Sequence, residues 1–518
     1  MKEPNALAKK FAHELRLVRD AQDRERASNE TREKIHVQTT GAGLTYLYES
    51  LRNASENADE NLLLMRAIRR FFKRIYLTPD FKLNDIGEEL ITELTLAGYL
   101  ENDSVTLTTV NEISHLVREY THLRTKLLQK FPRETADRWT LAPMSAAIEH
   151  KLRDHRLNAV FTDLAYNYFL SAIDAPAIFG EKPASYEATL FMAVQQSLLR
   201  EDPAAIRLGL TARYQVSLDH AVEFAKFNTQ IDQIAASPAL KRLIQIASRN
   251  GAPFRIALLA ASNDDNAAER LTSDKSYSEQ YNLAIGEAYK SVSQNISRGI
   301  VRSVIFLVIT KFIIGIAIEV PYDLWVHSTV QWLPLIVNLA LPPLYMIALR
   351  LTLLMPSSGN THALNREITR VLFEPIPSKP FIKGRQKTFG VGWNTAYGLI
   401  IVGVFIGVAW LLMYYAHFEW IHLAIFFVFI STASFLGFRL SRAIREIEIG
   451  DEAQTSVTTI RDFLYMPFVA VGRKINETYA RINIVSRFLD MFVELPLKTI
   501  LGFIRRWSSF LSAKKDDF

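Results

Sequence analysis

The chain has 518 residues, a formal net charge of +6 and no cysteine. Disulfides, iron–sulfur clusters, thiolate zinc sites and cysteine nucleophiles are therefore excluded, and the length allows more than one compact body. A mean hydropathy of +0.05 averages two unlike parts, since residues 1–298 are rich in charge while 303–438 hold almost all the long apolar runs.

The chain begins MKEPNALAKKFAHELRLVRDAQDRER, alternating charge with apolar residues. It lacks the continuous apolar core and small-residue cleavage site of a secretory signal, so the first domain is expected to stay in the compartment where it is made. Apolar residues then recur at helical spacing through most of residues 1–260, which predicts an all-α fold. Leu116, Tyr120, Leu123 and Leu127, following a start signal at Thr108-Thr109, are one such stripe. Breaks fall at 39–43, 78–85, 131–138, 179–185 and 250–253, and the break at 131–138 divides the domain into two candidate subdomains.

Five residues of this region have the types that hold metals. Glu119 and His122 form an E-x-x-H with His115 one turn earlier, and a second E-x-x-H occurs at Glu33 and His36. Paired motifs of this kind supply ligands in di-iron helical bundles, together with a further Glu from each of two other helices. Glu33 is read as part of a helix ending near Thr39 and crowded with Arg and Glu, where a solvated ion-pair face accounts for it without a metal. No metal and no cofactor are expected.

Residues 83–108 place a helix before Gly98-Tyr99-Leu100 and a turn with candidate strands, an order that a winged-helix DNA reader shares. Glu88, Glu89 and Glu93 stand where such a helix would need cations to meet phosphates, so nucleic acid is not the expected partner. The basic run Arg66, Arg69, Arg70, Lys73 and Arg74 is read as a solvated face or a site for an acidic partner or lipid headgroup. Gly41-Ala-Gly43 lacks the spacing and the lysine of a phosphate loop, and neither H-E-x-x-H nor G-x-S-x-G occurs. No catalytic motif is found.

Residues 157–179 are apolar but interrupted by Asn158, Asp163, Asn167 and Asp174, which predicts a buried helix of the soluble domain. That domain is expected to cover 1–261, with a polar linker at 262–276 and a helical stalk over 277–302. Along the stalk Tyr281, Ile285, Ala288, Val292 and Ile296 form one apolar stripe. The stripe is expected to pack on the domain, or on a second copy as a short coiled coil.

The membrane domain is expected over 303–438, with four spans at about 303–320, 332–354, 396–416 and 420–438, each long enough for a hydrocarbon core. Lys311 in the first span costs about 3 kcal/mol on insertion scales, which its apolar neighbours offset at roughly 0.3–0.6 each. The connection 355–395 carries Arg366, Arg370, Lys379, Lys383, Arg385 and Lys387, and Arg439, Arg442 and Arg445 follow the last span. The loop 321–331 and the turn at His417-Phe418-Glu419 carry neither Lys nor Arg. Both termini are therefore expected in the cytosol of a cell (plasma) membrane protein.

Lys311, Asn338 and His422 are the polar exceptions inside the spans, and Pro342-Pro343 is expected to break the second span. Lys311 is read as snorkelling or pairing with a neighbouring helix. Gly403-x-x-x-Gly407 and Ala433-x-x-x-Gly437 are read as close packing between the last two spans. The tail 439–518 is expected to be amphipathic, cytosolic and interfacial. In residues 496–511 Leu497, Ile500, Leu501, Ile504, Trp507 and Leu511 share a face, with Lys498, Arg505 and Arg506 off it, facing anionic headgroups.

This organisation predicts a membrane-anchored scaffold or adaptor whose cytosolic helical domain binds a protein partner at the inner face of the membrane. One alternative is a small transporter or channel component using Lys311 and the broken second span. Another is a membrane-tethered winged-helix DNA-binding regulator.

Overall fold

The computed structural model describes residues 2–38, 43, 45, 46, 49, 62–76, 85–183, 185–375, 380–382, 391–449 and 465–477. Within them the chain is all-helical, as expected. In place of the candidate strands there is a single antiparallel bridge between Lys34 and Thr106, closed by Ile35 N–H to Val105 O and Leu107 N–H to Glu33 O, each 3.0 Å. The chain divides into two compact units.

The amino-terminal unit comprises residues 10–172 and 179–247. Its helices include α1 (Ala6–Thr31, entering from the other unit), α2 (Leu63–Ile75), α3 (Ile86–Leu96), α4 (Leu107–Leu128), α5 (Arg133–Trp139), α6 (Leu141–Leu152) and α7 (Arg156–Ala172). After them come α8 (Tyr186–Val194), α9 (Pro203–Arg213), α10 (Ala221–Ala236) and α11 (Pro238–Arg249). The helical stripes of α2, α3, α4 and α6 meet in one core around Ile68, Phe72, Leu90, Ile113, Met144 and Ile148. α4 starts on Thr106, whose hydroxyl accepts the Thr109 N–H and so satisfies one of the free donors at a helix start. At Gly87 the backbone of α3 comes so near α4 that a Cβ there would stand 2.5 Å from Val110 O. The apolar stretch beginning at 157 is indeed a buried helix, with Phe161, Ala165 and Phe169 fully enclosed.

The membrane unit comprises Met1–Lys9, Ile173–Ile178 and Ser248–Ile482. Residues 262–276, expected as a linker between bodies, lie inside it. So does α12 (Ala252–Ser262). The stalk is the first part of α13 (Asp274–Ile314) and runs into the first span without interruption. Its stripe is buried as expected, with Tyr281, Ile285 and Ile296 almost wholly enclosed, and Tyr281 donates to Pro253 O of α12 at 3.0 Å. A π-helical turn, Gly315–Glu319, follows, and α14 (Val320–His327) extends the same helix. The longer helices that follow are α15 (Trp332–Thr352), α16 (Ser358–Phe373), α17 (Val391–Ala416) and α18 (Trp420–Arg445), and residues 465–477 are also helical.

Four of these helices are long and apolar enough to cross a membrane: Asp274–His327, Trp332–Thr352, Thr395–Ala416 and Trp420–Arg445. Three expectations about them need correction. The break at Pro342-Pro343 does not occur, because α15 is helical from Trp332 to Thr352 with both prolines inside it. Much of the expected 321–331 loop is helix. The small residues of α18 face α15 rather than α17: a Cβ on Gly437 would stand within 3.4 Å of Leu349 Cγ, whereas Gly403 and Gly407 have nothing within 4 Å. α17 packs instead through Phe405, Leu412 and Ala416 against Phe426 and Phe468.

The two ends of the bundle differ in chemistry. At one end Arg350 reaches Ser297 Oγ at 3.5 Å, Arg255 donates to Glu446 O at 2.7 Å, and Arg439, Arg442 and Arg445 end α18. At the other end His327 lies 2.8 Å from Glu419, which also accepts from the Tyr322 hydroxyl at 3.0 Å.

Candidate functional site

Inside the membrane unit, five polar side chains from three helices form a buried network. Lys311 Nζ lies 2.6 Å from Glu319 Oε1, with both side chains enclosed. Asn338 donates through Nδ2 to the same Glu319 oxygen at 3.0 Å and to His422 O at 3.2 Å. His422 Nε2 lies 3.2 Å from Asp323 Oδ1, again between fully buried side chains, and Asp323 Oδ2 accepts the Gln331 N–H at 2.9 Å. Lys311 also lies over the Phe429 ring, 4.9 Å from its centroid.

The π turn explains how one helix supplies three of these groups. Eight residues of regular α-helix turn roughly 800°, which would leave Glu319 about 80° away from the face of Lys311. The wide turn absorbs about one residue, bringing Glu319 to within roughly 20° of that face, and Asp323 follows one turn later. The cause of the widening is in the sequence: Pro321 has no N–H to give and its ring crowds the carbonyl four residues back. Lys311 then bridges the two turns with its long stem. It pairs along its own helix, not with a neighbouring one as expected.

Asn338 is also set by proline. Pro342 stands four residues further along α15, so the Asn338 carbonyl loses its usual helical donor, and Pro343 does the same to Leu339. The prolines thus leave polar backbone beside the network while the helix continues through them. Small residues let α18 approach here, with Ala433 and Ser434 fully buried and Ser434 Oγ 3.0 Å from the Tyr345 hydroxyl.

Besides the His422–Asp323 pair, several atoms of the network have no hydrogen-bond partner: Glu319 Oε2, Asn338 Oδ1, His422 Nδ1 and the nearby Ser431 Oγ. In hydrocarbon each such group is costly, and ionisable groups at this depth mark ion or proton paths when they face the bundle interior. Chemically, two carboxyls, an amine and an imidazole in one chain can exchange protons or replace part of a small cation's hydration shell. Lys311, Asn338 and His422 were recognisable as polar interruptions of apolar runs. Glu319 and Asp323 were not, since they stood at and beyond the expected end of the first span.

The other candidates stand apart from this network. Glu33 lies beyond the end of α1 at Thr31, so its E-x-x-H is not on a helix, and His36 is 3.1 Å from Asp103 instead. His115 and Glu119 are 3.5 Å apart along α4, exposed like His122. The basic run of α2 is turned on its own unit: Arg69 lies 3.2 Å from Asp202, Arg70 lies 2.6 Å from Glu49, and Arg74 pairs with Glu93. Lys498, Arg505, Arg506 and Trp507 lie outside the described residues. No protein-family model matches the chain, and no curated protein or solved structure is significantly similar to it.

Proposed function

We propose that the chain is an integral membrane protein whose four spanning helices carry protons along the network from Glu419 and His327 towards Lys311. The observation that supports this most is the run of fully buried ionisable and polar groups Lys311, Glu319, Asn338, His422 and Asp323, in which Glu319 Oε2, Asn338 Oδ1 and His422 Nδ1 have no hydrogen-bond partner. A plain anchor would gain nothing from carrying these groups into hydrocarbon. In this reading the arginine-bearing end of the bundle and both termini face the cytosol of the cell membrane, and the Glu419 end faces out. Asp323 and His422 form the outer step, Asn338 joins the two halves, and the Lys311–Glu319 pair is the deepest point.

The test is flux through the purified full chain in phosphatidylcholine–phosphatidylglycerol vesicles holding a pH-sensitive dye, driven by a potassium gradient with valinomycin. Proton entry should exceed that of protein-free vesicles and fall about tenfold or more in Glu319→Gln and Asp323→Asn. Entry no faster than in empty vesicles, or undiminished in the double variant, overturns the proposal.

The second reading is the membrane-anchored adaptor, in which the amino-terminal unit binds a protein partner and the network only holds the spans together. The mutual neutralisation of Lys311 and Glu319 at 2.6 Å favours it. A folded chain without flux that co-purifies with a stoichiometric protein partner would select this reading. The DNA-binding alternative draws no support from α2, whose Arg69, Arg70 and Arg74 meet carboxylates of their own unit.

A further inference from the structure

The amino-terminal unit contains a second polar cluster, unrelated to the intramembrane network. Glu149 and His150 stand near the end of α6, the chain turns through Arg153, and His155 immediately precedes α7. The turn brings one ligand atom from each of Glu149, His150 and His155 to within 4.8 Å of one another. Glu149 is buried and His150 exposed, with the His150 and His155 rings stacked 4.2 Å apart. His155 Nε2 lies 2.8 Å from Glu149 Oε2, while the other ring nitrogen, Nδ1, is shut off from solvent without a hydrogen-bond partner.

A further carboxylate, Glu201, lies near this cluster. The π-helical turn Gln195–Leu199 ends on Arg200, which has a left-handed backbone at φ 55°, a conformation uncommon outside glycine. The turn sets Glu201 close enough to His155 and Glu149 to interact with the charge of both. A carboxylate and two imidazoles thus meet at a helix end, with a further carboxylate near enough to feel their charge. Wide helical turns of this type recur at functional sites.

We infer that Glu149, His150 and His155 form a binding site for one divalent transition-metal ion, of which zinc is the simplest representative. Mixed imidazole and carboxylate ligands suit zinc, iron or manganese. A zinc ion takes four such ligands at about 2.0–2.2 Å, so a cation between Glu149 and His155 replaces a close but misaligned contact with two bonds. Imidazole binds a metal in its ring plane, and the solvent-facing His150 ring therefore turns out of its stack to complete the set.

The experiment uses the full chain purified in detergent through a tag without histidine, stripped with EDTA and desalted. Zinc binding is measured by elemental analysis and by competition with a chromogenic chelator. About one zinc per chain should bind tightly, with the ion lost in His155→Ala and in Glu149→Gln and held about tenfold more weakly in His150→Ala. His115→Ala should bind as the unaltered chain does. Fewer than about 0.2 zinc per chain overturns the inference, as does unaltered binding in His150→Ala. Because His150 is exposed, that variant keeps its fold and decides the matter even if removal of the buried Glu149 disturbs folding.

Discussion

His422 Nε2 and Asp323 Oδ1 face each other at 3.2 Å from two different spans, with neither side chain exposed. Removing one member leaves the other buried without its counter-charge, which costs about 3–5 kcal/mol in protein interiors, whereas removing both can be close to neutral. Asp323→Leu and His422→Leu should therefore each lower the stability of the detergent-solubilised chain, and the double variant should be more stable than the sum of the two losses predicts. A thermal or SDS unfolding series measures this. Strictly additive losses would show that the two groups do not interact.

Gly437 tests the packing that brings α18 onto the network. A Cβ there would fall on Leu349 and within 3.9 Å of Met346 Sδ, so Gly437→Val forces α15 and α18 apart at an overpacking cost of about 1–3 kcal/mol. Leu349→Ala in the same chain should restore much of the loss. Gly403→Val should be nearly silent, since open space surrounds that position. Equal damage at both glycines would mean that α17, not α15, is the close neighbour of α18.

The long apolar helices and the buried stalk stripe could be read from sequence because each is a local pattern. Partners across the bundle could not. Ala433 and Gly437 announce a close approach, but nothing in their spacing says that Leu349 of α15 fills it. Glu319 and Asp323 escaped notice because apolar content falls near Val320, and a proline at 321 reads as a helix end. Pro321 instead widens the helix and keeps both acids on the Lys311 face. That face, with acids eight and twelve positions after a buried lysine, was the available signal. Glu149, His150 and His155 follow no helical period, since a helix end and a turn bring them together.

The orientation proposed above rests on the basic end of the bundle and can be tested directly. Cysteine-free sequence makes single introduced cysteines unambiguous reporters. A membrane-impermeant thiol reagent added to intact cells should label position 327 or 417 and leave positions 359 and 446 unlabelled until the cells are opened. The reverse pattern would put the Glu419 end in the cytosol and invert the direction of the proposed path.

Asp232 offers a pH test in the amino-terminal unit. It accepts from Trp139 Nε1 at 2.9 Å and from Arg138 at 2.8 Å and pairs with the buried Arg207, which also donates to Asn228 Oδ1 at 2.6 Å and to Asn228 O at 3.3 Å. Burial alone would raise the Asp232 carboxyl, but the Trp139 and Arg207 hydrogen bonds and the two arginine charges outweigh it and hold the group below its ordinary 3.8. A carboxyl depressed in the folded state binds its proton more readily when unfolded. The stability it lends is therefore fully present above pH 3.8 and is lost as pH falls through the lower folded value. Asp232→Asn removes the charge that faces Arg207 and should cost about 2 kcal/mol near neutrality, less than a fully enclosed pair because Asp232 is partly solvated. The gap in melting midpoint between the unaltered chain and Asp232→Asn, followed by tryptophan fluorescence, should narrow steadily as the pH is lowered from 5 to 3. A gap that stays constant over that interval would show that the Asp232 carboxyl is not held low by its partners.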